Sequence, residues 1–181
     1  MLNHLLIAGS GLLLASTAHA QSVAPPPAAL QALEGCWQGS GKVMDKPVTL
    51  TLRAAPTAMG AMIALDTTSV ATADAADRYA AHLVFGWLPA KAGRPAGALT
   101  GYWADSFGGA FAAPGEGEAQ DQGFEMRYRF GSDTFVNRWR RTGPALEWTI
   151  VARDAVGKES LFATYRLIVT PCGPARPAPR R

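Results

Sequence analysis

Between Gly123 and Arg153 apolar and charged side chains alternate. Phe124, Met126, Tyr128 and Phe130 take turns with Glu125, Arg127 and Arg129, and Leu146, Trp148, Ile150 and Ala152 with Glu147, Thr149 and Arg153. A period of two marks a β-strand with one buried and one solvated face. Short turn-like stretches join these segments, namely Gly131-Ser132-Asp133, Thr142-Gly143-Pro144 and residues 154–158. Consecutive strands joined in this way form an antiparallel meander. Turn signals recur at about every 8 to 12 residues along the chain, the spacing of a sandwich or barrel. The predicted strands cover 35–43, 48–53, 61–70, 79–88, 98–105, 123–130, 134–141, 146–153 and 161–169. A meander of this size loses its exposed edges by closing on itself. The fold class is therefore all-β: a single antiparallel meander closing into an 8–10-stranded barrel, with a short N-terminal helix drawn from 28–33. The Gly/Ala/Pro-rich stretches 90–96 and 112–117 read as loops.

The chain ends carry different information. Residues 1–20, MLNHLLIAGSGLLLASTAHA, hold an apolar run ending in Ala-His-Ala, which reads as a cleaved secretory signal. The run lacks a Lys or Arg before it, but it is interrupted by Gly9, Ser10 and Gly11 and falls short of the roughly 20 apolar residues a spanning helix needs. No membrane span is expected, and the mature chain starts at Gln21. A Pro/Ala linker (21–27) leads to the barrel (28–172), and a basic Pro-rich tail (173–181) follows. The expected location is periplasmic or secreted, where no ATP or NAD(P)H pool is available.

The 17 basic and 14 acidic residues give a net charge of +3. Arg176, Arg180 and Arg181 of the tail account for that excess, so the body is close to neutral and no nucleic-acid face is expected. Cys36 and Cys172 bracket the strands. In an exported protein such a pair is most simply one disulfide. Two free thiols or a metal pair are the competing readings, and a zinc site lacks its remaining ligands.

The run Leu33-Glu34-Gly35-Cys36-Trp37-Gln38-Gly39 resembles the Gly-x-Trp start of lipocalin-like (calycin) barrels. Gly101-Tyr102-Trp103-Ala104-Asp105-Ser106, followed by the meander, is similar to the exported bacterial DUF1579-type proteins of that group. The resemblance spans residues 28–170. It implies a closed or nearly closed barrel, a short helix plugging one end and a central cavity. It also implies a structural lock between Trp37 and a late-strand arginine, for which Arg166 is the candidate. Lipocalins carry a long helix before the last strand, and this chain has no room for one, which favours the shorter DUF1579-type plan. Related nitrobindins bind haem through a histidine near the C-terminus. The mature chain has only His82, near its middle, so no cofactor is expected; a hydrogen-bonded or partly exposed strand residue is the ordinary role for it.

The five tryptophans bear on function, because rings facing a barrel interior offer contact area to an apolar or ring-bearing ligand. The candidate ligand contacts are Trp87, Tyr102, Trp103, Asp105, Trp139, Trp148 and Tyr165; filling the core is the alternative role for each ring. Asp105 either caps the turn after its strand or points into the barrel mouth. If Trp139 faces inward, Arg138 and Arg140 face water and pair with acids such as Glu125 or Glu147; in the other register they line the cavity. No catalytic set emerges: there is no Gly-x-Ser-x-Gly elbow, phosphate-binding glycine loop or metal cluster, and Glu116 and Glu118 lie in a Gly-rich stretch. An exported binding or carrier barrel for a small apolar or amphipathic ligand is the leading expectation. A cell-envelope interaction protein with a filled barrel is the alternative, followed by a small barrel enzyme using Asp105.

Overall fold

The computed structural model describes residues 25–173. The expected leader (1–20), the start of the linker (21–24) and the tail from 174, with its three arginines, lie outside the described residues. A one-turn helix α1 (Ala28–Gln31) precedes ten strands: β1 (Gly35–Val43), β2 (Lys46–Thr57), β3 (Met62–Ala71), β4 (Arg78–Trp87), β5 (Ala98–Asp105), β6 (Ala113–Gln120), β7 (Gly123–Phe130), β8 (Asp133–Thr142), β9 (Ala145–Arg153) and β10 (Glu159–Thr170). Each strand pairs antiparallel with its neighbours in sequence, and β1 pairs with β10 from Cys36 opposite Thr170 to Val43 opposite Ala163. The sheet is a closed barrel without an edge strand.

β6 stands where the composition of 112–117 predicts a loop. Its alternation is real but uses glycine on the inner face: Gly115 and Gly117 lie opposite Tyr128 and Met126 of β7, while Glu116 and Glu118 face out. A Cβ on Gly115 would fall 2.4 Å from the Tyr128 ring, and one on Gly117 would fall 2.5 Å from Met126 Sδ. The large side chains of β7 thus cover the middle of the inner face of β6, whose own apolar contribution is limited to Ala113 and Ala119. The same device recurs on β1, where a Cβ on Gly41 would meet the Tyr165 ring at 2.7 Å.

One end of the barrel is closed. α1 buries Leu30, and the following turn buries Leu33, against Trp37, Phe124 and Leu146. Cys36 is disulfide-bonded to Cys172, which ties the start of β1 to the segment after β10. Trp37 is 1% exposed and donates its Nε1–H to the Leu33 carbonyl at 2.7 Å. The expected arginine partner needs correcting. Arg166 lies between the inward-facing Tyr165 and Leu167, so its side chain points outward, where it pairs with Glu147. Arg141 occupies the position over Trp37 instead, 5.0 Å from the ring centroid, and donates to the Ala32 carbonyl at the end of α1. A cation over an indole face that also caps a helix C-terminus locks the plug in place.

The outer wall is charged. Trp139 is buried and faces inward, so Arg138 and Arg140 face out. Arg138 bonds Glu125 and, with Arg153, converges on Glu159. Among the described residues no helix is long and apolar enough to cross a membrane. The exposed outward positions include Arg53, Asp66, Glu116, Glu118 and Arg129, unlike the apolar band of a lipid-facing barrel. His82 is one of these outward residues and bonds Asp66 on the adjacent strand at 2.7 Å.

Hydrogen bonds from Arg138, then Arg153, hold the Glu159 carboxyl at about 2, against its ordinary 4.5. A carboxyl whose folded value is depressed stabilises the fold fully above its unfolded value and loses that contribution as pH falls through the folded one. Thermal melts of the wild type are therefore expected to lose this contribution between about pH 4.5 and 2. Glu159→Gln should melt lower at pH 6 and show a shallower decline over that window; parallel pH profiles would refute the assignment.

Candidate functional site

A ladder of aromatic rings climbs the barrel axis from the closed end. Phe124 stacks on Trp139 at 5.8 Å, Trp139 on Trp148 at 4.1 Å, and Trp148 leans on Tyr165 at 4.9 Å. Trp103 flanks the ladder, 6.1 Å from Trp148 and edge-on to Tyr128 at 5.5 Å. These side chains meet because each sits at an inward position of its strand, and the pleat alternates faces residue by residue.

Above Trp148 the interior opens into a cavity of about 360 Å³, lined by Val43, Val48, Tyr79, Trp103, Tyr128, Phe130, Phe135, Asn137, Ile150, Phe162 and Tyr165 among others. Its mouth lies between the β1–β2, β3–β4 and β5–β6 connections, which contribute Met44, Asp77, Phe107 and Phe111. Two backbone features shape this rim. Met44 and Asp45 both have positive φ (46° and 63°), as a tight two-residue hairpin requires. A register shift in β10 between Leu161 and Ala163 brings Phe162 onto the cavity wall, edge-on to Phe135 at 5.1 Å.

The polar groups of the cavity are few and neutral in its depth. Asn137, 1% exposed, accepts the Trp148 Nε1–H at 2.9 Å and places its own amide 3.5 Å from the Phe135 carbonyl. The buried Tyr128 hydroxyl has no hydrogen-bond partner. Burial pushes the Tyr165 hydroxyl up to about 12 and raises that of Tyr128 as well. Burial, followed by the neighbouring Asp105 carboxylate, raises Tyr79 further. All three phenols remain protonated donors over the physiological range.

Asp105 lines the upper wall with its carboxylate occupied. One oxygen accepts the Tyr79 O–H at 3.0 Å and the Trp103 Nε1–H at 3.1 Å, and the other accepts the Phe107 N–H at 2.9 Å. It caps the turn after β5 and at the same time orients two cavity side chains. Near the mouth Lys46 and Asp77 form an ion pair at 2.5 Å. Among the described residues no group of three or more metal-ligating side chains occurs.

Of the seven side chains proposed from sequence, Trp103, Asp105, Trp148 and Tyr165 converge on the cavity. Trp139 sits one layer lower, beneath Trp148, and also borders a crevice of about 390 Å³ beside α1. Trp87, at the end of β4, packs partly buried against the core and does not line the cavity. Tyr102 is 47% exposed on the outer face, because its neighbours Gly101 and Trp103 take the inward positions. Tyr79, Tyr128, Asn137 and the phenylalanines of the rim are additional. Asn137 carried a signal: it is a polar residue at the inward parity of a strand whose neighbouring inward positions are Phe135 and Trp139.

No family model and no curated protein matches the chain. Among solved structures it is similar to Rv2717c from M. tuberculosis, with a TM-score of 0.58 and 16% sequence identity over 80% of this chain and 99% of that one. A likeness at that identity concerns the fold, and the chain is accordingly a ten-stranded antiparallel barrel of lipocalin-like fold.

Proposed function

We propose that the protein is an exported binding or carrier barrel, of the DUF1579-type plan, which holds a small apolar or amphipathic molecule in the cavity above Trp148. The observation that carries this reading is the cavity itself: about 360 Å³, walled by aromatic rings, with a few hydrogen-bonding groups in its depth. Those are the attributes of small-molecule sites, which occupy about 300–1,000 Å³. An envelope partner with a filled barrel would lack such a space. The bonds that occupy the Asp105 carboxylate support a capping role over an acid–base one. Export with cleavage after residue 20 agrees with the Cys36–Cys172 disulfide, which suits an oxidising compartment.

Native mass spectrometry on protein secreted with its own leader and purified without detergent tests this reading. The expected result is a reproducible adduct at one-to-one stoichiometry, released by organic extraction and absent from Trp148→Ala. A clean apo mass, together with no displacement of environment-sensitive dyes from the interior, would count against a carrier.

A further inference from the structure

Charge is confined to the upper part of the cavity and is not balanced there. Resting on the carrier reading above, we infer that the ligand is a cationic amphiphile whose alkylated ammonium head sits at the mouth, beside Asp105 and the rings of Phe107 and Phe111, with its apolar tail directed toward Trp148. The lining side chains with a formal charge are Asp105, Asp77 and Lys46. Lys46 and Asp77 neutralise one another, which leaves the Asp105 carboxylate as the net charge of the lining. The donors to that carboxylate are the Tyr79 hydroxyl, the Trp103 indole and the Phe107 backbone N–H. None of them is a cation, so the negative charge is held in place without being cancelled.

Aromatic rings gather around this carboxylate. Besides Tyr79 and Trp103, which bond it, Phe107 lies 5.6 Å from the Tyr79 ring and 5.7 Å from the Phe111 ring between centroids. Phe107 is 69% and Phe111 47% exposed, so both rings are open to a ligand at the rim. An ammonium group over aromatic faces is attracted by the ring quadrupole, and quaternary ammonium ligands are recognised in this way. Alkylation suits the head, because the carboxylate has about four acceptor positions and three are already taken. Methyl groups rather than N–H then meet the rings, while the charge is met by Asp105. Deeper in, the lining is neutral and mainly apolar, with Val48, Phe135, Ile150 and Phe162, a place for a tail and a costly one for a charge. An anionic head at the mouth would lose its hydration beside Asp105 without a cation in compensation.

Isothermal titration calorimetry with octyltrimethylammonium, octanol and octanoate tests the inference, since the probes share an alkyl chain and differ in the head. The wild type should bind the cation at least about threefold more tightly than the alcohol and at least about tenfold more tightly than the carboxylate. In Asp105→Asn the preference for the cation over the alcohol should be lost. Because Asp105 also caps the turn after β5, Phe107→Leu gives a second reading at an exposed position that keeps its apolar bulk. There the cation preference should shrink by about two- to fivefold. Equal binding of cation and alcohol by the wild type, a preference for octanoate, or a cation preference kept in full by Phe107→Leu or by a folded Asp105→Asn would overturn the inference and leave the carrier reading standing. So would failure of all three probes to bind while an environment-sensitive dye still enters the cavity. Failure of the probes and the dye alike would count against the carrier reading as well.

Discussion

Replacing Cys36 and Cys172 with serine is expected to lower the unfolding free energy by about 5 kcal/mol. The bridge joins residues 136 apart in sequence, and in the chain-entropy model closing so long a loop restricts the unfolded ensemble by about that amount. For a domain of this size it corresponds to a fall of roughly 10–20 °C in melting temperature. Urea unfolding of the wild type and the double mutant, followed by circular dichroism, gives the difference directly. The barrel itself should remain closed in the mutant, because the β1–β10 ladder extends to Cys36–Thr170 independently of the bridge. A loss below about 1 kcal/mol would assign the closure to that ladder alone.

Trp148→Ala should be comparably severe and should also abolish binding. Trp148 is 1% exposed, stacked on Trp139 and leaning on Tyr165, and its indole N–H satisfies the buried Asn137 oxygen. Truncating a buried tryptophan costs about 3–5 kcal/mol through lost contacts and the space left behind. Stranding the Asn137 acceptor adds to this, on the order of 1–3 kcal/mol. Trp148→Phe separates the two contributions: it keeps an aromatic ring in the ladder and removes the hydrogen bond, so about 1–3 kcal/mol of the loss should remain. Denaturant melts of both variants, read beside displacement of an environment-sensitive dye from the cavity, check the pair. A Trp148→Ala protein that keeps wild-type stability and affinity would remove the ladder from both roles.

How far these features can be read from sequence depends on one rule, that neighbours in a strand face opposite ways. Where the alternation has chemical contrast, as from Phe124 to Phe130, the strand, its face and its place in the barrel follow from the residues, and β1, β5 and β7 have the expected bounds. Where contrast is missing the rule is silent. β6 carries Gly115 and Gly117 on its inner face, and the rings that cover them belong to another strand, so no local pattern announces it. The site shows the same division. Trp103 and Tyr102 cannot both face the interior of one strand, and the buried tryptophan decides in favour of the former. Likewise Arg141 shares the inward parity of Trp139 and reaches the plug, whereas Arg166 has the parity of solvent. The cavity volume is a different kind of property. It depends on how rings from six strands and the β5–β6 connection lean, which no single segment encodes.

The inward glycines have a consequence for how this barrel would change over evolutionary time. β1 and β6 stand five strands apart in either direction around the ring, so they form facing walls, and each is overlaid by a tyrosine that lines the cavity. A methyl group gained at Gly115 would collide with the Tyr128 ring at 2.4 Å and push it toward the axis. Bore width is thus governed by positions that never touch a ligand. Divergence in ligand size among barrels built this way should track exchange at the Gly115 position, where the added methyl meets a ring, whereas at Gly41 it would also stand 2.0 Å from the Thr164 carbonyl oxygen and disturb the β1–β10 pairing.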